Sequence, residues 1–369
     1  PPSRTPDHVP LTHTSPPGHQ LRTRLLGGAL MPTDVMDLIV HSAGRDHELR
    51  LAMEDLQMDR WLAARQLLRT TGTNWALRTA RSQVLAVGAA QSHAIEAWLQ
   101  EEPESVNAMM MWARVLTQRA LRAFRDGVRG DDLRRTTYAA NQACRTAASL
   151  WPADPVPGVC LLALAQTDVD RSWPHDPLNW VEHRDRFLPP GPWTLLNWVH
   201  ARDPYNREAY HRTLQVLQAR GAGDLDFALW VASSAPEGAA VTLLPLYAFV
   251  DRYRRSIAHG RTASVIAFWA TEEKAHYARR GLEWWFHAPT HATGAVAAGH
   301  AQQRLDVRSL ADLNHLAHAA TATGVGHAAD VFTEIGPYAT PAPWAYVGTN
   351  PDWWMDDFRS ARTRALNHH

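Results

Sequence analysis

The sequence predicts an all-α protein: an alpha-solenoid of antiparallel helix pairs, with long Pro/Trp-rich loop insertions and a C-terminal capping segment. Three observations predict it. From about residue 45, apolar side chains return every three or four positions, the period of one helix face. Pro103, Pro155 and Pro204 interrupt the chain at intervals of about fifty residues, a period of the helical-repeat kind. Alternating apolar and polar runs of the strand type are almost absent.

Residues 1–20 are rich in Pro, Ser, Thr and His and lack periodicity, so they read as a flexible N-terminal arm. Residues 21–260 carry the repeats, and residues 261–369 continue them into a cap. Leu77, Ala80, Val84 and Val87 recur at helical spacing, and Ser92 can cap a helix with Ile95, Trp98 and Leu99 on its apolar stripe. Glu102-Pro103 breaks the chain. The next helix runs from near Val106 to Phe124, with Met109, Ala113, Leu116, Ala120 and Phe124 as its core face. After a glycine-containing loop, a helix carrying Ala140, Cys144 and Ala147 stops at Trp151-Pro152. Asp154-Pro155 and Asp203-Pro204 each read as an N-cap aspartate before a first-turn proline. Val241–Val250 contains Pro245 and suits a helix better than a strand. A helix is expected over 262–286, with Val265, Phe268 and Trp269 apolar and Glu272, His276 and Arg279 continuing the same face. Leu310–Thr323 and His327–Ile335 form a last pair, followed by an irregular strap and a helix bearing Trp353, Trp354 and Phe358. A repeat array needs such an end cap, because each pair buries its stripe only against a neighbour.

Residues 50–240 resemble the tetratricopeptide family of helical repeats. Ala140, Cys144, Ala147 and Pro152 have the small–bulky–small–proline spacing of that family's second helix, and Trp75 stands where its first-helix tryptophan would. The first-helix glycine and tyrosine are missing, the 126–132 loop is longer, and the period exceeds the family's. The resemblance implies a right-handed array of helix pairs with partners bound on the concave side. The whole chain also resembles a group of actinobacterial helical proteins, which implies no activity.

Composition removes several function classes. The 369 residues carry 37 basic and 37 acidic side chains, so a generic polyanion binder is disfavoured and nucleic acid is not the expected partner. Lys274 is the lone lysine. Cys144 and Cys160 are too few for a disulfide framework and read as buried thiols. No segment reads as a signal peptide or a bilayer span, so a cytoplasmic location is expected. Phosphate-loop, dinucleotide, nucleophile-elbow and zinc-protease motifs are absent, and no cofactor is implied.

Two segments attract functional readings. The first is 167–192 with its flanks. Trp173, Trp180, Trp193 and Trp198, followed by Arg202, Tyr205, Asn206 and Arg207, either pin an irregular connector or line a concave partner surface. The second is Glu272 with His276, which would form an acid–base pair or metal ligands if their face were buried, and a surface pair if it were not. His287 and His291 are weak metal candidates without a completing donor set. His315 and His318 are expected to point away from the core face of their helix, and Arg114, Arg122, Arg125 and Arg129, followed after the loop by Arg134 and Arg135, to form a solvated face or else a docking patch for an acidic peptide or phosphate. Lys274, beside Glu272 and Glu273, reads as a surface lysine. The leading expectation is a scaffold that binds a peptide or protein, with a small-molecule ligand as a lesser reading. The rival is an all-helical enzyme centred on Glu272 and His276 and closed by the 167–192 loop.

Overall fold

The computed structural model describes residues 37–169, 176–260, 264–288, 308–348 and 350–367. The predicted arm, together with Trp173 and His291, lies outside the described residues. Helices dominate: α1 (His47–Gln57), α2 (Leu62–Thr71), α3 (Trp75–Ala89), α4 (Ala94–Glu101), α5 (Val106–Arg125), α6 (Gly130–Leu150) and α7 (Val156–Leu164) form the first half. After the connector come α8 (Trp193–His200), α9 (Arg207–Arg220), α10 (Asp224–Ser234), α11 (Leu244–Ala258), α12 (Val265–Trp269) and α13 (Glu272–Arg280). The chain ends with α14 (Leu310–Thr323), α15 (Ala328–Ile335), α16 (Trp344–Val347) and α17 (Trp354–Asn367). No strand forms among the described residues, only isolated bridges at Ile39–Tyr338 and Val181–Gly191.

Local chemistry sets many of the helix starts. Asp46, Asn74, Ser105 and Asn206 each accept a hydrogen bond from the backbone N–H three residues on, satisfying one of the orphan donors of a helix N-terminus. Asp154 accepts from Val156 N, as its position before Pro155 predicts. The matching expectation at Asp203-Pro204 differs from the structure. Tyr205 takes a left-handed φ of 58°, which breaks the chain there, and Asn206 caps α9 instead.

The odd-numbered helices pack in a row, each against the next: α1 on α3, α3 on α5, α5 on α7, α7 on α9, α9 on α11 and α11 on α13. Their apolar faces merge into an N-terminal, a middle and a C-terminal cluster. Two helices serve two clusters at once. Cys160 and Leu164 of α7 face the first while Val159 and Leu162 face the second. Leu244 and Ala248 of α11 face the second while Leu246 and Phe249 face the third. A helix between two cores must be apolar all round, which is why α7 reads as one unbroken apolar run. The segment before α1 also packs on the segment after α15. Ile39 N donates to Pro337 O at 2.8 Å, Ala339 N donates to Ile39 O at 3.1 Å, and Arg45 pairs with Glu334 at 3.0 Å.

Several faces differ from their sequence reading. In α3, Ala80 and Val87 are exposed while Arg78, Thr79 and Ser82 are buried beside Leu85 and Ala89. The inner row supplies polar partners for this face, which a single helix pattern cannot reveal. The helix expected over 262–286 is broken at Ala270 and extended Thr271, and after α13 it passes into a π-helical turn, Gly281–Phe286. Lys274 is buried rather than solvated, its Nζ 4.3 Å from the Phe268 ring centre and 3.1 Å from Thr271 Oγ1. Burial lowers its pKa from the usual lysine value.

Candidate functional site

The first turn of α9 carries charged side chains that pair with α5 on one side and with α14 on the other. Glu208 receives a bidentate bond from Arg114 of α5, at 2.8 Å to Oε1 and 2.7 Å to Oε2, and a further bond from Arg212 at 3.0 Å. Arg114 also donates to Ser82 Oγ and Thr79 O, both at 3.2 Å, and is 1% exposed. It therefore does not belong to the solvated face predicted for it, although Arg122, Arg125 and Arg129 are exposed as predicted. Burial raises the Glu208 carboxyl, and the two guanidiniums outweigh it, leaving the group below the usual carboxylate range. Asn206 binds Thr79 Oγ1 at 3.2 Å, and Arg78 pairs with Asp154 at 2.8 Å.

The neighbouring residue faces the other way. Arg207 pairs with fully buried Asp312 of α14 at 2.6 and 2.7 Å, and Tyr247 donates to the same carboxylate at 2.6 Å. His315 stacks on Tyr247 with ring centres 3.6 Å apart, and His211 meets that ring edge-on at 4.4 Å. His318 lies between Trp269 and Trp344, at 4.9 and 5.1 Å. Both α14 histidines are thus buried, contrary to the sequence reading, because α14 is covered on several sides, by α11, α13, α15 and α17 among others. Burial pushes His315 down to about 4 and His318 down to about 3. Burial and nearby Arg207 lower His211 as well. This interior can tie helices together, and its charges face partners within the chain.

The predicted partner residues are largely occupied with the protein itself. Trp193 is 4% exposed and donates to Pro189 O at 3.1 Å. Arg220 stacks over Trp180 at 3.6 Å and donates to Asp168 O and Asn179 O, clamping the connector onto α9. Arg202 lies 3.7 Å over Trp198 and donates to Pro152 O. Tyr205 donates to Ser234 O. Asn206 is buried and Arg207 half-buried, and both are bonded within that internal network.

An open cleft of about 930 Å³ lies beside that connector instead. One wall is α6, where Arg134, Tyr138, Gln142 and Arg145 follow at helical spacing. Leu161 and Leu164 of α7 and Leu195 of α8 are among its apolar lining. Asp168 and Asp176 contribute the acidic side chains. Asp168 is already engaged by Asn179 Nδ2 at 3.0 Å and Asp176 N at 3.2 Å, and Arg145 spans to Asp176 at 3.7 Å. Tyr138 is 67% exposed. The sequence places Arg134 in a basic run that reads either as a solvated face or as an acidic-peptide patch, while Tyr138 and Arg145 look like ordinary solvated positions. An exposed aromatic in an arginine stripe was the available signal.

The buried face on which an acid–base role for Glu272 and His276 depends is not present. Both side chains are exposed, Glu272 pairs with Arg279, and neither lines the cleft. The break at Thr271 puts them at the outer start of a new helix rather than on the continuation of a buried stripe. His287 stands close to His327 and Asp330. Comparison with known protein families, curated proteins and solved structures finds no match to this chain.

Proposed function

We propose that this protein is a helical-repeat binding scaffold that takes an acidic, amphipathic peptide or protein segment in the cleft lined by α6, α7, Leu195 of α8 and the described connector segments 167–169 and 176–179. The observation that carries the reading is the cleft itself: open to solvent, apolar at its base, with Tyr138 and three arginines (Arg129, Arg134 and Arg145) on its rim. Apolar floors with aromatic and arginine anchors are the usual make-up of binding hot spots. Guanidinium groups pair bidentately with carboxylates. The cleft lining carries three arginines against the two aspartates Asp168 and Asp176, a small excess of positive charge, with Arg134 also paired to Asp131 and Arg145 to Asp176. The row of helix pairs supports the repeat reading, and the cleft replaces the Arg202–Arg207 wall as the place where a partner would sit.

Peptide display against the full chain tests this. Enriched peptides are expected to combine carboxylates with a bulky apolar anchor, and to bind the Y138A/R134E/R145E variant at least about tenfold more weakly. Equal binding to parent and variant, or enrichment of basic peptides, would refute the reading.

A further inference from the structure

His287 caps the π-helical turn after α13, and His327 is the N-cap residue of α15. These residues are forty positions apart in sequence, yet their rings meet nearly at right angles with centres 5.5 Å apart. Between them lies Asp330. Its Oδ2 is 3.3 Å from His327 Nδ1 and 3.9 Å from His287 Nε2, and all three donor atoms fall within 4.8 Å of one another. We propose that His287, His327 and Asp330 bind one divalent transition ion of the zinc class, with solvent completing the shell.

Local structure builds each donor position. The His287 N–H bonds back to Leu282 O at 2.7 Å, a span of five residues that belongs to the π turn and sets the direction in which His287 leaves it. Phe286 packs edge-on against the imidazole at 4.8 Å. His327 holds a φ of 67° as the residue preceding α15, and Asp330 follows in the first helical turn. A non-glycine residue is strained in that region, so surrounding structure must hold it there.

The donor chemistry selects the ion class. Two imidazoles and one carboxylate match the open three-ligand zinc arrangement, whereas calcium and magnesium require mostly oxygen donors. Zinc–ligand bonds of about 2.0–2.2 Å place tetrahedral donors about 3.3–3.6 Å apart, so modest side-chain rotation would close the observed separations. The positive end of the α15 dipole opposes a cation, and a carboxylate ligand outweighs that opposition. The site is independent of the α6 cleft, which none of its residues lines.

The test uses the full chain with His368 and His369 replaced by alanine, removing two adjacent imidazoles that would bind metal by themselves. After chelator treatment, zinc is titrated calorimetrically and cobalt(II) is followed by its visible d–d absorption. One ion per chain is expected. Asp330→Asn should weaken binding at least about tenfold, and H287A/H327A should abolish it together with the zinc-dependent rise in melting temperature. All three side chains are exposed, so circular dichroism of the variants should match the parent. Absence of stoichiometric binding by the parent, or unchanged affinity in H287A/H327A, would overturn the proposal.

Discussion

Arg114 and Glu208 offer a test of how the inner row of helices is held. The two side chains are 1% and 5% exposed and share two short, parallel hydrogen bonds. Their partner sets are unequal. Glu208 is also held by Arg212 at 3.0 Å, whereas the only carboxylate hydrogen-bonded to Arg114 among the described residues is Glu208. Glu208→Gln therefore strands a buried guanidinium, which cannot shed its proton. Breaking a buried pair from one side costs about 3–5 kcal/mol, a large share of a typical total of about 5–15 kcal/mol. Arg114→Met leaves Glu208 its bond from Arg212, and Ser82 Oγ keeps its donation to Thr79 O at 3.1 Å. This variant should cost about 1–2 kcal/mol less than Glu208→Gln. The double variant removes both charges and should be no less stable than Glu208→Gln alone. Urea unfolding followed by circular dichroism measures all three. If Glu208→Gln lies within about 1 kcal/mol of the parent, or Arg114→Met is the more damaging change, the pair does not carry the assigned role.

Two further outcomes follow from the buried groups and the close helix contacts. His315 and His318 are held neutral, at about 4 and about 3, against an ordinary 6.5. The unfolded chain thus binds more protons below pH 6.5, and stability falls as pH drops from there toward the folded values. Between about pH 7.5 and pH 5 each histidine should withdraw about 2 kcal/mol, before Asp312 and Glu208, both lowered, begin to titrate in the fold. Urea midpoints across that range should decline and His318→Phe should flatten the decline; a constant midpoint would contradict the assignment. Gly158 of α7 lies against α8, where an added Cβ would sit 2.2 Å from Trp198 Cζ3 and 2.7 Å from Val199 Cγ2. Glycine to alanine in a helix normally stabilises by roughly 0.5–1 kcal/mol, but here overpacking should make the change destabilising by about 1–3 kcal/mol. An unchanged or raised urea midpoint for Gly158→Ala would show that α8 can move away.

The helical class, most of the breaks and the small-residue face of α6 were legible because each depends on neighbours in sequence. Ala140, Cys144 and Ala147 are all buried, at the spacing that suggested a packed second helix. Pro152, Asp154 and Pro155 mark the α6–α7 junction by backbone chemistry alone. The candidate site was far less legible. Trp180, Trp193 and Trp198 announced a special segment, but a tryptophan gives the same sequence signal whether it pins a connector or meets a partner. The cleft beside that connector depends on how α6 stands against α7 and α8.

By itself, then, the sequence determined that this chain would be helical, where most helices would stop, and which residues carry charge and aromatic rings. Those outcomes rest on local backbone preference and on a period of three to four residues. Only the tertiary structure decided that Arg114 would meet Glu208, that His315 and His318 would be enclosed, that Glu272 would face water, and that His287 would reach Asp330. A side chain's environment is set by what packs over it, and the atoms covering these positions come from helices tens of residues away along the chain.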